Sequence, residues 1–379
     1  MKVVVISETV QGERRVALVP DAAAKLATSG FAVVVEAGAG EQASFADNAY
    51  RQAGVTVEAD RQAVLGTADV VLSVQPPHLD DVAWLRVGAA TISFLQPATQ
   101  CAVIEALAAR GITAFSLELL PRISRAQSMD ALSSQASLAG YKAVLMAANQ
   151  LGKFFPMLTT AAGTIPPARV LVLGAGVAGL QAIATARRLG AVVEAYDVRS
   201  AAKEEVKSLG ASFLEFELET QEGEGGYARE QSEEFLAKQR ELVTRRVAVA
   251  DVVITTAAIP GRRAPLLVTA PMVQGMRVGS VIVDLAAETG GNCEVTQPGR
   301  VVEVDGVWVD GTTNVPSTMA LHASQLYARN VTNLLQHLVN EGELNLDFED
   351  EITRSCCVTH AGQVVNERAR HLMRTTAAP

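Results

Sequence analysis

Short runs of apolar, mostly β-branched residues alternate with amphipathic stretches from the first residue of the chain. Helices are predicted at Asp21–Ser29, stopped by Gly30, and at Cys101–Arg110, stopped by Gly111. The apolar runs between such helices are continuous, which is typical of strands buried on both faces of a parallel sheet. The alternation therefore predicts βαβ units, with strands at Lys2–Ile6, Ala32–Glu36, Val55–Glu58, Ala68–Val74, Ala89–Leu95 and Ile112–Leu117.

A second series of the same kind follows a long helical pattern at Asp130–Leu151 and a looser link at Thr159–Ala168. After this series a helix is expected from Ser317 to Asn340, and the tail at Leu344–Pro379 is only weakly patterned. The predicted fold class is α/β, with two Rossmann-like, doubly wound parallel-sheet domains and a cleft between them. The strands of the second series are predicted at Arg169–Leu173, Val192–Asp197, Ser212–Phe216, Asp251–Thr255, Val281–Leu285 and Val307–Asp310.

Composition excludes several classes of function. The 379 residues are 49% hydrophobic, which suits two domains with proper cores. A net charge of −9 and 4% aromatic residues make nucleic acid an improbable partner. The cysteines form no CxxC pair and the histidines lack metal spacing, so we expect a reduced, cytoplasmic setting and no metal. The start, MKVVVISET, predicts no signal peptide, and the apolar stretch at Ala136–Leu151 is too short to span a membrane.

The strongest local signal is RVLVLGAGVAGLQAIATARRLGAVVEAYDVR, which begins at Arg169. A strand runs into Gly174-x-Gly176-x-x-Gly179, a helix follows, and a second strand finishes at Asp197. The first glycine permits the tight turn, the second lets the backbone approach a pyrophosphate, and the third lets helix and strand lie close together. The pattern predicts dinucleotide binding. Asp197 would accept bonds from ribose hydroxyls and repel a 2′-phosphate, which favours NAD over NADP, although Arg199 nearby weakens that preference.

Several further stretches resemble one family. They are ERRVALVP (Glu13–Pro20), PRISRAQSMDALSSQ (Pro121–Gln135), VIVDLAAETGGN (Val281–Asn292) and TTNVPST (Thr312–Thr318). The family contains alanine dehydrogenase and the NAD(H)-binding component of proton-translocating nicotinamide nucleotide transhydrogenase, and PRISRAQSMDALSSQ looks like the transhydrogenase version. The cofactor-binding residues that this resemblance and the fingerprint imply are Gly174, Ala175, Gly176, Val177, Gly179, Asp197, Val198, Arg199, Thr256, Ala257 and Ala258.

The resemblance also implies an assembly. NADP(H) would be bound by a partner beta subunit and not by this chain, and a further subunit would cross the membrane. This chain would be a homodimer, held at the inner face of the cell membrane through its partners without inserting. It would pass hydride from NADH to NADP+, coupled to proton translocation. The expected domains are 1–128 with 320–379, and 129–319 as the NAD(H)-binding domain.

Two glutamines, Gln75 and Gln96, stand at strand tips in VLSVQPP and SFLQP. The matching places in alanine dehydrogenase look like those of a catalytic lysine and histidine. Amino-acid oxidation needs acid–base groups, whereas hydride transfer between two nicotinamides moves no proton at the reacting carbons. The glutamines therefore favour transhydrogenase. The alternative is that both amides simply cap buried strand ends.

The catalytic candidates implied by the resemblance are Arg122, Gln127, Asp130, Ser133 and Tyr227. Arg122 would hold the nicotinamide carboxamide or a neighbouring phosphate, and Gln127 would reach toward the partner nucleotide. Asp130 and Ser133 would orient the carboxamide, but their spacing also suits a helix cap. Tyr227 lies in a Glu- and Gly-rich stretch that would close over bound NAD(H), or would be an idle surface loop.

Two other functions remain open from the sequence. A self-contained alanine dehydrogenase or related amino-acid oxidoreductase would need acid–base residues where the two glutamines stand. A non-catalytic NAD-sensing module would share the glycine fingerprint and transfer no hydride.

Overall fold

The structure is a computed structural model that describes residues 1–215, 233–259 and 261–376. The chain divides into two units, which are Met1–Gln135 with Ser317–Pro379, and Ala136–Pro316. The domain boundaries predicted from the sequence lie at 128/129 and 319/320.

The strands of the described residues, in chain order, are β1 Lys2–Val5, β2 Ala32–Glu36, β3 Thr56–Glu58, β4 Val70–Leu72, β5 Ala90–Ser93, β6 Thr113–Ser116, β7 Leu158–Thr160, β8 Gly163–Ile165, β9 Arg169–Leu173, β10 Val192–Tyr196, β11 Ser212–Phe213, β12 Val252–Thr255, β13 Val281–Asp284, β14 Val301–Val304, β15 Val307–Asp310, β16 Val339–Asn340, β17 Glu343–Leu344, β18 Cys357–His360 and β19 Gln363–Val364. The α-helices are α1 Pro20–Thr28, α2 Asp47–Gln52, α3 Arg61–Gly66, α4 Leu79–Trp84, α5 Cys101–Ala109, α6 Ala131–Gln150, α7 Val177–Arg188, α8 Ala202–Ser208, α9 Glu233–Val247, α10 Ala270–Gln274, α11 Ala320–His337, α12 Glu351–Cys356 and α13 Glu367–Thr376.

The first unit is built on one sheet with the order β19-β18-β6-β5-β4-β1-β2-β3. Strands β1 to β6 are all parallel, and β18 and β19 extend the edge in antiparallel pairing. Val3 and Val5 lie in one buried cluster and Val4 in another, so both faces of the sheet are covered. Full burial on both faces explains the continuous apolar runs in the sequence.

The second unit repeats the same winding. Its sheet has the order β11-β10-β9-β12-β13-β15-β14, parallel except for the antiparallel edge strand β14. In both units the third strand of the series lies outermost and the fourth lies beside the first, so the strand order reverses between β1 and β4, and between β9 and β12. Ligands of open parallel sheets bind outside the strand ends at such reversal points. The predicted α/β class with two parallel-dominated sheets is confirmed.

One close contact positions the helix that follows the glycine fingerprint. A Cβ on Gly140 of α6 would lie 2.0 Å from the carbonyl oxygen of Ala178, in the first turn of α7. Any side chain at residue 140 would therefore push the two helices apart. The sequence pattern did not single out this glycine.

Three segments differ from their prediction. The helix predicted at Ser317–Asn340 is wrong at both ends, since a 3-10 turn occupies Val315–Met319 and α11 ends at His337. The chain then reverses through Glu341 and Gly342, both at positive φ, to form the hairpin β16–β17. The looser link contains the hairpin β7–β8, and the weakly patterned tail adds β18, β19, α12 and α13.

Candidate nucleotide-binding site

The reversal point of the second sheet carries the glycine-rich turn directly after β9. Gly174 has φ +102°, and a Cβ there would lie 2.6 Å from Oγ1 of Thr256. A Cβ on Gly179 would lie 1.9 Å from the carbonyl oxygen of Gly174, so only glycine lets α7 approach the strand. A Cβ on Gly176 would meet no atom within 4 Å among the described residues. The first and third glycines are thus required by the protein itself, whereas the second borders open space.

Gly176 also forms the N-cap of α7, where it has no side chain to cover the helix end. The N-terminus of a helix presents N–H groups and the positive end of the helix dipole, which attract phosphate. Val177, the first residue of the helix, is 45% exposed. This end of α7 therefore has no side chain over it at Gly176 and is open on the side where a Cβ would point.

Asp197 follows β10 and holds the turn from the other side. Its Oδ2 accepts the N–H of Ala175 at 2.7 Å, and its Oδ1 accepts the N–H of Arg199 at 2.9 Å. The guanidinium of Arg199 binds both carboxylate oxygens, with Nε and Nη2 each at 3.0 Å. Val198 lies between the two charged residues and is partly buried against the adjacent core. The carboxylate is thus oriented beside the turn and partly neutralised by Arg199.

The loop Thr256–Ala258 follows β12 on the opposite side of β9. The Thr256 hydroxyl donates to the carbonyl of Gly174 at 3.0 Å, which joins this loop to the glycine-rich turn. Ala258 is exposed, while Ala257 is half-buried. The structure therefore brings the predicted residues of the fingerprint, of the end of β10 and of this loop together in one unit. Asn292, whose side chain binds the backbone of Ala257, was not among the predicted site residues.

The candidates from PRISRAQSMDALSSQ lie in the first unit. Arg122 and Gln127 are exposed, and Gln127 belongs to a 3-10 turn at Ser124–Met129. Asp130 accepts the N–H of Ser133 at 2.9 Å and its hydroxyl at 2.6 Å. That pair caps the start of α6, as the capping alternative predicts. Tyr227 and its Glu- and Gly-rich neighbours lie outside the described residues.

The two glutamines bind each other. Nε2 of Gln96 donates to Oε1 of Gln75 at 2.7 Å, and Nε2 of Gln75 donates to Glu13 at 2.7 Å. The guanidinium of Arg15 also binds Glu13, through Nε at 2.8 Å and Nη2 at 2.6 Å. A continuous hydrogen-bonded chain thus links the segments that follow β1, β4 and β5 in the first unit, with no titratable group at either glutamine position.

Two carboxyl groups in this network have opposite pKa shifts. Burial raises the pKa of Glu8 to about 8, against the opposing effect of the N–H groups of Val74 and Gln75 that bind it. Burial would also raise the pKa of Glu13, but its hydrogen bonds with Arg15 and the charge of Arg15 outweigh this, and the pKa is lowered to about 2. At neutral pH Glu13 is therefore charged and Glu8 largely protonated.

Neither a metal-binding cluster nor a spanning helix is evident in the described stretches of the chain. Over residues 1–215, 233–259 and 261–376, no three His, Cys, Asp or Glu side chains are grouped to hold a metal ion. No helix within those same ranges is both long and apolar enough to cross a bilayer.

Comparisons with known proteins cover almost the whole chain. The profile "Alanine dehydrogenase/PNT, N-terminal domain" matches residues 4–139, and "Alanine dehydrogenase/PNT, C-terminal domain" matches residues 143–367. A protein of Rhodospirillum rubrum named as an NAD(P) transhydrogenase subunit alpha is 50% identical over 376 residues, which cover 97% of this chain and 98% of the relative. A solved transhydrogenase from Sinorhizobium meliloti has a TM-score of 0.86 at 45% identity, with 97% of this chain and 100% of that chain covered. A solved L-alanine dehydrogenase has a TM-score of 0.83 at 27% identity, with 100% of both chains covered.

Proposed function

The chain belongs to the alanine dehydrogenase/PNT family, as its motifs predict, and from that membership we propose that it is the NAD(H)-binding alpha component of a proton-translocating transhydrogenase. The observation that carries the proposal is the 50% identity, over nearly all of both chains, to a protein named as a transhydrogenase alpha subunit. The alanine dehydrogenase comparison is also full-length, but at 27% identity.

The second unit supports NAD(H) binding through its own residues. The exposed N-terminus of α7 and the open space beside Gly176 suit a pyrophosphate. Asp197 would accept bonds from the adenosine ribose, and Thr256–Ala258 would border the other half of the dinucleotide. Bound NADH would supply a hydride from C4 of its nicotinamide.

In the proposed reaction, this chain would position the nicotinamide of bound NADH for hydride transfer. Hydride transfer between two nicotinamides requires orientation and exclusion of water rather than proton transfer at the reacting carbons. Arg122 is proposed to hold the nicotinamide carboxamide or a neighbouring phosphate, and Gln127 to reach toward the partner's nucleotide. Asp130 and Ser133 are proposed to orient the carboxamide. Asp130 can also cap α6, since one carboxylate can accept several hydrogen bonds. Tyr227 is proposed to cover the bound cofactor.

The proposed assembly follows from the same relatives. NADP+ would be held by a beta subunit and would receive the hydride, and a membrane subunit would couple the transfer to proton movement. The chain would act as a homodimer at the inner face of the cell membrane. NAD is preferred over NADP on this chain because the Asp197 carboxylate opposes a 2′-phosphate.

Titration of the purified chain with NADH and with NADPH tests the binding proposal. NADH should bind more tightly than NADPH, and the chain alone should form no NADH from NAD+ and L-alanine. The hydrogen-bonded glutamine pair of the first unit supports the second expectation, because neither Gln75 nor Gln96 can exchange a proton with an imine. NADH formation from alanine would establish an amino-acid dehydrogenase instead.

A further inference from the structure

The loop after β12 is held by one buried side chain. Asn292 is fully buried, and its amide binds the peptide group of Ala257 in both directions. Oδ1 accepts the N–H of Ala257 at 3.0 Å, and Nδ2 donates to the carbonyl of Ala257 at 2.8 Å. Nδ2 also donates to the carbonyl of Pro265 at 2.8 Å. A carboxylate cannot supply these donors, so the position requires an amide.

Asn292 is itself fixed by a buried carboxylate. Asp284 ends β13 and is fully buried. Its oxygens accept the N–H groups of Asn292 at 2.9 Å and Cys293 at 3.1 Å, and the Thr296 hydroxyl at 2.7 Å. They also accept the Thr255 hydroxyl at 2.8 Å and the N–H of Ala286 at 3.0 Å. A buried carboxylate that accepts this many hydrogen bonds is firmly held. Asp284 in turn fixes the backbone of the segment that carries Asn292.

The position of the loop Thr256–Ala258, which Asn292 holds, determines which half of a bound dinucleotide would contact it. Asp197 follows β10 on one side of β9, whereas Ala257 follows β12 on the other side. A dinucleotide with its adenosine ribose at Asp197 and its pyrophosphate at Gly174–Gly179 must extend its second nucleotide over the end of β12. The Thr256–Ala258 backbone therefore borders the nicotinamide half and not the adenosine half.

We propose that Asn292 is a positioning residue for the nicotinamide half of the bound dinucleotide, acting through the peptide group of Ala257. This inference rests on the proposed NAD(H)-binding function and adds a selectivity to it. Loss of the clamp should loosen the loop and weaken ligands that reach it. Ligands that stop at the pyrophosphate should be unaffected.

The test compares NADH with ADP as probes on the full chain. Asn292→Asp keeps the size of the side chain and removes the donors to Ala257 and Pro265. Its dissociation constant for NADH should rise roughly tenfold or more, because a buried carbonyl loses its partner. Its dissociation constant for ADP should change by less than about twofold, since ADP does not reach the loop. Asn292→Ser, which buries no new charge, should likewise weaken NADH binding and leave ADP binding unchanged. It replaces the aspartate variant in the test if that variant does not fold.

Glu294→Gln is the matched control. Glu294 is exposed in the same segment, its Oε2 accepts the N–H of Ala270 at 2.7 Å, and the amide oxygen of glutamine can accept the same bond, so the contacts of Asp284 and Asn292 stay intact. Its affinities for NADH and ADP should both equal those of the unmodified chain. Equal weakening of NADH and ADP in the Asn292 variants, or no weakening of either, would overturn the inference. Failure of the unmodified chain to bind NADH would overturn the proposed function, and this inference with it.

Discussion

At the scale of single residues, Asp197 has two tasks in the structure. It holds the glycine-rich turn by accepting the N–H of Ala175. It also pairs with two guanidinium nitrogens of Arg199, Nε and Nη2. A ribose that binds Asp197 must share the carboxylate with Arg199. In the proposed site this pair would therefore set both the affinity for NADH and the response to a 2′-phosphate.

Replacement of Asp197 tests this role. Asp197→Ala should weaken NADH binding by roughly 1–3 kcal/mol, the cost of losing charged hydrogen bonds to the ribose. It should also reduce the preference for NADH over NADPH, because Arg199 would remain to attract the 2′-phosphate of NADPH. In the double variant Asp197→Ala/Arg199→Ala, NADH should bind weakly without any gain for NADPH. Unchanged NADH and NADPH titrations of the single variant would remove Asp197 from the site.

The network around Gln75 shows what residue types alone cannot reveal. The sequence identifies both glutamines as unusual strand-tip residues, but their partners come from segments far apart in the chain, such as Glu13. Glu8 lies beside them, and no sequence pattern marks it as a site residue. Its pKa is raised because folding buries it against the backbone that follows β4 and brings it near the charge of Glu13.

The pH dependence of stability should report Glu8. An acid whose pKa is raised from 4.5 to about 8 on folding keeps its proton in the native state while the unfolded chain loses it. Its stabilising contribution is complete below pH 4.5 and is lost progressively as the pH rises toward 8. Chemical denaturation between pH 5 and 8 should show the free energy of unfolding falling more steeply for the unmodified chain than for Glu8→Gln. The exposed Glu349→Gln should keep the steeper fall, and identical slopes for the chain and Glu8→Gln would contradict this role.

At the scale of secondary-structure elements, burial decides which elements the sequence can predict. β9 has the predicted bounds, since all its residues after Arg169 are apolar and buried. β15 also has the predicted bounds, although its residues are alternately buried and half-buried. β14 was missed because its residues are alternately exposed and half-buried at the sheet edge. The close approach of α6 to α7 at Gly140 could not be predicted either, because it depends on which helix becomes its neighbour.

The glycines at the start of α7 give a prediction at this scale. Gly176→Ala should leave the melting temperature unchanged, since the new methyl group meets no described atom within 4 Å and the φ of −75° suits alanine. It should nevertheless weaken NADH binding, because the methyl group would enter the space proposed for the pyrophosphate. Thermal unfolding and NADH titration together measure both effects.

Gly179→Ala is the counterpart of this variant. Its methyl group would lie 1.9 Å from the carbonyl oxygen of Gly174, so strand and helix must separate. The melting temperature should fall together with the affinity for NADH. If Gly176→Ala bound NADH normally, the turn would not be the pyrophosphate site.

At the scale of the whole molecule, the two units share one strand order but differ at its reversal point. In the first unit, Glu13, Gln75 and Gln96 form a hydrogen-bonded chain of side chains in the segments that follow β1, β4 and β5. In the second unit, a glycine-rich turn borders open space there. The sequence predicts the second feature from local spacing, whereas the first depends on contacts between distant segments. The proposed function assigns NAD(H) to the second unit and no acid–base chemistry to the first.

Gln127→Asn examines the proposed meeting of two nucleotides. Gln127 is exposed, so shortening it should not disturb the fold or the affinity for NADH. The rate of hydride transfer to NADP+ on a partner should fall on the order of a hundredfold, because small misplacements of reacting groups are costly. Ser128→Ala, an exposed neighbour in the same turn, should leave binding and rate unchanged. Loss of NADH binding with normal transfer per bound NADH would instead place Gln127 in the NAD pocket.

If the proposed function is right, this chain delivers hydride to a nucleotide held by another subunit. NADH carrying deuterium at the transferable position of C4 should be mixed with this chain, an NADP(H)-binding transhydrogenase component and NADP+, and the NADPH analysed by mass spectrometry. Direct transfer predicts that NADPH forms only when both proteins are present and that the deuterium is retained at C4 of its nicotinamide. Deuterium lost to water, or no NADPH although both proteins bind their nucleotides, would contradict direct transfer.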